Sequence, residues 1–254
     1  MILFTSFNYV HKSALSRTRF LPSFSISIPQ LSSAGSLSSS VIVEHVVLFK
    51  VKLDADSSKL AAMVSRLNGL TSLNLTLHLS FAQLLHSRSS SLTFTHMLHS
   101  RYRSKEDLRE YAVHPEHVHV VNENKLIIDD VMPIDWMSNG ASVSPKPGSA
   151  MRVTFLKLKE NLGENEKARV LEVIGGIKDQ FQAIEQLSLG KNFSHERAKG
   201  FTIASIAVLP RQADLEALDS NSEIVNSQKE KVGDSIESVV VVDYLIPHPQ
   251  VANL

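Results

Sequence analysis

The chain reads as one structural unit written twice. V-E-H-V-V-L-F-K-V-K (Val43 to Lys52) opens a segment that closes on K-L-I-I-D-D-V-M-P (Lys125 to Pro133). M-R-V-T-F-L-K-L-K (Met151 to Lys159) opens a second that closes on V-V-V-V-D-Y-L-I-P (Val239 to Pro247). His45 falls on Arg152, an offset of 107, whereas Pro133 falls on Pro247, an offset of 114, so a modest insertion is expected in the second half. A repeat of roughly 100 residues is the size of a small independent core. The apolar skeleton recurs but the chemistry does not. Eight of the eleven histidines lie between His45 and His119, in the first half. At the second half's equivalent positions stand Arg152, Ile203, Leu218 and Ile224. One half is built to hold something, and the other to complete the fold.

Periodicity supplies the elements. Val41, Val43, His45, Val47, Phe49 and Val51 alternate with Ile42, Glu44, Val46, Leu48 and Lys50, the period of a strand. Leu60, Met63, Val64 and Leu67 follow helical spacing after the turn-like Asp54 to Ser57. Further strands are predicted over Leu73 to Phe81 and Leu92 to Tyr102, with Ser87 to Ser91 as the loop between them. Ser104 and Asp107 cap a helix that Pro115 interrupts, and a second short helix begins on that proline. Leu126 to Pro133 closes the unit as a strand. The second half predicts strands at 151–159, 184–189, 200–209 and 236–245, and helices over 164–180 and 213–231. His78, His86, His99 and His119 read as surface residues.

The order is β-α-β-β-α-β, the ferredoxin-like arrangement. The fold class is therefore α+β, with tandem units at 42–136 and 150–248 joined by a Ser-, Gly- and Pro-rich linker at 137–149. A four-stranded sheet with both helices on one side leaves its other face bare, and an apolar bare face is an aggregation liability. The two halves are expected to pack sheet to sheet as an internal pseudo-dimer, with solvent-facing sheets or a single continuous sheet counting against that arrangement. Further homodimerisation stays open.

Composition removes several function classes. There is no cysteine, so disulfides, thiolate zinc sites and thiol chemistry are out. Lys plus Arg equals Asp plus Glu, which leaves no basic field to draw in nucleic acid. No apolar run approaches the roughly 20 residues that span a bilayer, so no membrane anchor is expected. Residues 1–41 contain no Asp or Glu and carry Lys12, Arg17 and Arg19 amid twelve serines, the composition of an organelle-targeting leader. Ala252-Asn253-Leu254 is similar to a peroxisomal import tripeptide. A disordered leader addressed to the chloroplast is expected, with the peroxisome as the alternative.

The opening E-H-V-V-L-F-K-V-K, the later E-Y-A-V-H-P-E-H (Glu110 to His117) and the closing I-I-D-D strand resemble the stress-responsive dimeric α/β-barrel domain. The likeness covers Ile42 to about Asp135 well and Met151 to His248 by skeleton, and the tandem layout is similar to two-domain plant members. Most of that family has no assigned reaction. One member class, typified by olivetolic acid cyclase, closes linear polyketides by aldol condensation. What the resemblance implies for that chemistry is His117 as base, Tyr111 as acid, and His45 and His96 orienting carbonyls. A Tyr–His pair can take and return a proton at neutral pH. The bland counterpart is that these imidazoles are structural, satisfied within a semi-polar core.

Two function classes follow. One is a stress-associated protein whose first half binds a small apolar or phenolic molecule without turnover, and the other is a cyclase-like enzyme. No cofactor is required by either. The resemblance also implies Mg2+ on the main-chain carbonyls of Leu67, Leu70 and Leu73, a hard but uncharged donor set. Zinc on His114, His117 and His119 is disfavoured because Pro115 spoils the helical register. No G-x-S-x-G elbow, Walker loop or G-x-G-x-x-G is present.

Overall fold

The computed structural model describes residues 41–89, 91–139 and 144–248, so the expected leader up to residue 40, the C-terminal tripeptide and the middle of the expected linker lie outside the described residues, and Val41 belongs to the first strand instead of the leader. The first half runs β1 (Val41–Val51), α1 (Ser57–Gly69), β2 (His78–Ser89), β3 (His96–Tyr102), α2 (Lys105–Val113), α3 (Pro115–Asn124) and β4 (Ile128–Asn139). The second runs β5 (Ala150–Leu158), α4 (Glu164–Gly175), α5 (Ile177–Gln180), β6 (Gln186–Lys191), β7 (Ile203–Leu209), α6 (Gln212–Ser220), α7 (Ser222–Val232) and β8 (Ile236–Leu245). The β-α-β-β-α-β order holds in both, with the helical stretches broken into shorter pieces. Gly176 ends α4, as its weak helix propensity allows.

The strands are ordered β4-β1-β3-β2-β8-β5-β7-β6 and every pairing is antiparallel. The halves oppose their sheet faces, as expected, but they are not separate sheets. Strand β2 runs on to Ser89 and pairs with β8, through the Ser/Arg stretch expected to be a loop. At the far edges, Trp136 of β4 bridges Asn192 after β6. The result is a single continuous sheet curled into a nearly closed barrel, with the helices outside. Curling reconciles a continuous sheet with opposed faces, and edge pairing satisfies backbone groups that separate sheets would leave open.

The barrel interior is an apolar core drawn from both halves, including Val46, Leu48, Met97, Ile134, Trp136, Val153, Phe155, Ile206 and Val242. Between the first sheet and its helices lies a second core of Val43, Val47, Phe49, Met63, Leu67, Phe81, Leu98 and Tyr111. Even-numbered β1 residues thus face the barrel and odd-numbered ones face the helices. Closure needs Gly190, because a Cβ there would sit 2.6 Å from the Met137 carbonyl oxygen and 2.9 Å from the Trp136 ring.

Several expectations are corrected. Leu73 to Leu77 precede β2 rather than form it. Strand β4 does not stop at Pro133, which is tolerated because only β1 pairs with it there. The offset does not drift to 114. His45 opposes Asp135 and Arg152 opposes Asp243, so the closing strands match at 108 and no insertion of several residues exists. His99 is not on the surface but sealed inside the barrel, and His78 packs on it with ring centroids 5.0 Å apart.

Candidate functional site

The first half's sheet–helix layer collects a row of four rings. His45 lies 6.2 Å from Tyr102, Tyr102 lies 5.3 Å from Tyr111, and Tyr111 lies 4.5 Å from His117, centroid to centroid. His45 comes from the helix-facing side of β1 and Tyr102 from the end of β3. Tyr111 comes from the buried stripe of α2, and His117 from the first turns of α3.

The His-Pro-x-His segment builds its corner by local hydrogen bonding. Ser104 caps α2 by accepting from the Asp107 amide. Pro115 lacks an N–H and ends that helix, so carbonyls of its last turn are left over. His114 Nδ1 accepts the Glu116 amide at 3.2 Å and so caps α3. His117 Nδ1 donates to the Ala112 carbonyl at 3.0 Å, which leaves Nε2 as its free lone pair. Burial pushes the His117 pKa down, against the Ala112 bond that favours its protonated form, so the ring is neutral at pH 7.

His45 and Asp135 sit directly opposite on β1 and β4. His45 Nδ1 donates to Asp135 Oδ1 at 2.5 Å, and both side chains are largely buried. With Nδ1 committed, Nε2 is the nitrogen left to accept a proton, the division of labour seen wherever a carboxylate orients an imidazole. Between the two histidines, the Ser100 hydroxyl donates to Tyr102 Oη at 3.0 Å, and the Tyr102 ring packs on that of Tyr111. Burial pushes both phenols well above their ordinary range, so they remain protonated donors at neutral pH.

Of the residues expected from sequence, the structure brings His45, Tyr111 and His117 together. It does not bring His96 among them. His96 opposes Phe49 whereas Ser100 opposes His45, so four residues of β3, roughly 13 Å, separate His96 from the row. His96 instead stacks on Phe81 with ring centroids 5.6 Å apart, and its Nδ1 lies 2.9 Å from the Thr95 hydroxyl. Sequence reasoning missed Tyr102 and Asp135. Tyr102 shares the alternation of Leu98 and Ser100. Asp135 was hidden by ending the strand at Pro133.

The carbonyls of Leu67, Leu70 and Leu73 follow one another where α1 tightens into a 3-10 turn. They accept the amides of Leu70, Leu73 and Thr76 respectively, each keeping one lone pair. Three neutral donors without a carboxylate are a weak set for Mg2+, and no chemistry is routed through them. Among the described residues no three His, Asp or Glu side chains are grouped as a metal site.

The second half fills its corresponding place with salt bridges. Arg152 donates to both Asp243 oxygens at 2.8 and 3.0 Å and to Asp219 at 2.6 Å. Arg88 and His86, from the long β2, reach the same Asp243 at 2.8 and 3.3 Å. A fork of two arginines on two carboxylates fills the place of the His45–Asp135 pair, and the one imidazole that reaches it, His86, sits exposed at its rim.

No helix among the described residues is long and apolar enough to cross a membrane. The chain is 47% identical over 232 residues to a stress-response A/B barrel domain-containing protein of Arabidopsis thaliana, covering 90% of this chain and 86% of that one. It is 42% identical over 214 residues to a second stress-response A/B barrel domain-containing protein of the same plant, covering 82% and 98%. Among solved structures, an anthrone oxidase-like protein matches with a TM-score of 0.57 at 11% identity, over 86% of this chain and 99% of that one. A Fusobacterium nucleatum protein matches with a TM-score of 0.55 at 13% identity, over 82% and 93%. At those identities the two structures share the fold alone. The model of the stress responsive A/B barrel domain matches twice, at residues 43–138 and 151–246, and the chain belongs to that family.

Proposed function

We propose that the first half binds a small, mainly apolar molecule carrying a carbonyl or phenol oxygen, seated between the sheet and helices α2 and α3. The observation that carries this is the ring row His45–Tyr102–Tyr111–His117, set against the apolar core of the layer. Aromatic faces take the apolar body of such a ligand, and protonated phenols donate to its oxygen. The matching site in the second half is occupied by the salt bridges of Arg152 and Arg88 with Asp243 and Asp219, so one molecule per chain is expected.

A specific feature favours a second reading, acid–base catalysis of the aldol-cyclase type. Neutral His117 with a free Nε2, protonated Tyr111 beside it and an Asp-oriented His45 together form a proton-transfer set. Such a set suits removal of a proton next to a carbonyl while a phenol stabilises the developing enolate.

One experiment separates the two. Wild-type protein is titrated calorimetrically with alkylated phenols, then incubated with linear poly-β-ketones while cyclised product is followed by chromatography. Binding without acceleration supports the binding reading. Acceleration lost in both His117→Ala and Tyr111→Phe supports the cyclase. Neither binding nor acceleration overturns both.

Targeting belongs to the same proposal. The acid-poor leader supports import into the chloroplast, with the peroxisome as the alternative. A C-terminal fluorescent fusion masks Ala252-Asn253-Leu254 and leaves the leader free, and an N-terminal fusion does the reverse. Organelle import only with a free C-terminus reverses the order.

A further inference from the structure

The site carboxylate Asp135 is gripped by the other half of the chain. Its amide donates to Asn192 Oδ1 at 3.3 Å, and its carbonyl accepts the Phe193 amide at 2.9 Å. Because Asp135 spends its amide on that seam, its pairing with His45 is of the narrow, non-hydrogen-bonded kind that brings opposing side chains closest. Asn192 is nearly fully buried and is itself over-determined. Its Oδ1 also accepts the Ser194 amide at 2.9 Å, and its Nδ2 donates to the carbonyls of Phe201 at 2.9 Å and Ser194 at 3.3 Å. Phe193 packs onto the apolar core that surrounds the ring row, and Lys105 Nζ sits 4.1 Å above its ring. Lys105 is the first residue of α2, the helix that carries Tyr111. One short segment of the second half therefore touches both the strand that presents Asp135 and the helix that presents the phenol.

We infer that Asn192 and Phe193 are positioning residues of the first half's site, holding Asp135 against His45, so that the second half completes that site rather than only the fold. This rests on the ring row being the functional site. The exchange is reciprocal in place but not in chemistry. At the opposite seam the first half sends Arg88 and His86 onto Asp243, where they help to fill the second half's matching site. Fusing two divergent halves lets one seam organise a His–Asp pair while the other adds Arg88 and His86 to the salt bridges of its counterpart. Two identical halves would repeat one treatment at both seams.

The test uses the full chain and no ligand. A His45 Nδ1–H engaged in a 2.5 Å bond gives a ring-proton NMR resonance shifted downfield and protected from exchange. Asp135→Asn assigns it by removing it. Asn192→Ala is expected to abolish or broaden that resonance and to accelerate exchange of the Asp135 amide. Ser188→Ala, which removes the Trp136 Nε1 bond of 3.0 Å at the same closure, is expected to leave it in place. That control separates positioning from loss of barrel stability. Phe193→Ala, at a partly buried position, decides the matter if Asn192→Ala does not fold, and is expected to weaken the resonance as well. An unchanged His45 resonance in the folded variants overturns the inference, as does equal loss in Ser188→Ala. Failure of phenol binding would leave these spectra untouched, so the two proposals fail separately.

Discussion

Removing the Glu44 carboxylate strands a guanidinium inside the barrel. Glu44 is fully buried, and Arg101, 1% exposed, donates to it through Nε at 3.1 Å to both oxygens. His99 Nε2 donates to the same carboxylate at 2.7 Å, and Arg101 Nη1 crosses to Gln186 Oε1 of the second half at 3.2 Å. Burial alone would raise the Glu44 pKa, but His99 and Arg101 outweigh it and hold the carboxyl at about 2 instead of its ordinary 4.5. A depression of that size corresponds to about 3 kcal/mol of stability present above pH 4.5 and lost as pH falls through 2. Breaking a buried ion pair from one side independently costs ~3–5 kcal/mol. Glu44→Ala is therefore expected to destabilise by about 3–5 kcal/mol, a large share of the ~5–15 kcal/mol typical of a folded domain.

The repeat supplies the rescue. At the second half's register-equivalent positions stand Met151, Ile206 and Val208, all apolar. The triple change Glu44→Met, His99→Ile, Arg101→Val removes every charge at once, together with a His99 Nδ1 that has no partner among the described residues. Replacing a buried ionic cluster whole by apolar side chains is neutral to stabilising by ~1–4 kcal/mol. Urea unfolding is followed by fluorescence of Trp136, the sole tryptophan, which is fully buried in the same barrel. A Glu44→Ala loss below ~1 kcal/mol, or a triple variant as weak as the single one, refutes the reasoning.

Acid should weaken the fold well before the carboxylates titrate. Burial, then His99 and Arg101, push His78 down to about 3, so between pH 6.5 and 3 the unfolded chain binds a proton that the folded one refuses. Stability should rise with pH across that window, and the urea midpoint of His78→Leu should depend on pH less steeply than wild type; parallel curves would contradict this. Gly190→Ala places a methyl 2.6 Å from the Met137 carbonyl oxygen, and a loss of ~1–3 kcal/mol with weaker protection of the Trp136 indole N–H is expected in hydrogen exchange. Ser104→Ala removes the α2 cap and should cost ~1 kcal/mol, with thermal melting as the readout and no change in the His45 resonance.

Much of the architecture was legible because it is local or periodic. Two-residue alternation marks β1 and a run of valines marks β8, Ser104 and Pro115 punctuate α2 and α3, and the opening strands reveal the repeat through side chains that share faces. The asymmetry between halves was legible too, since a histidine facing an arginine at one register position is visible without coordinates. What the sequence could not settle were pairings between segments far apart in the chain. Whether Ser87 to Ser89 form a loop or a strand depends on β8, from the last part of the second half, lying alongside. His99 and His78 look like polar surface residues until the second sheet covers them, because burial belongs to the packed pair of faces and not to one strand. Asp135 joined the site only when β4 was seen to continue past Pro133. Its grip by Asn192 exists only once the barrel closes, when a backbone amide at the strand edge must find an acceptor and the nearest one comes from the other half.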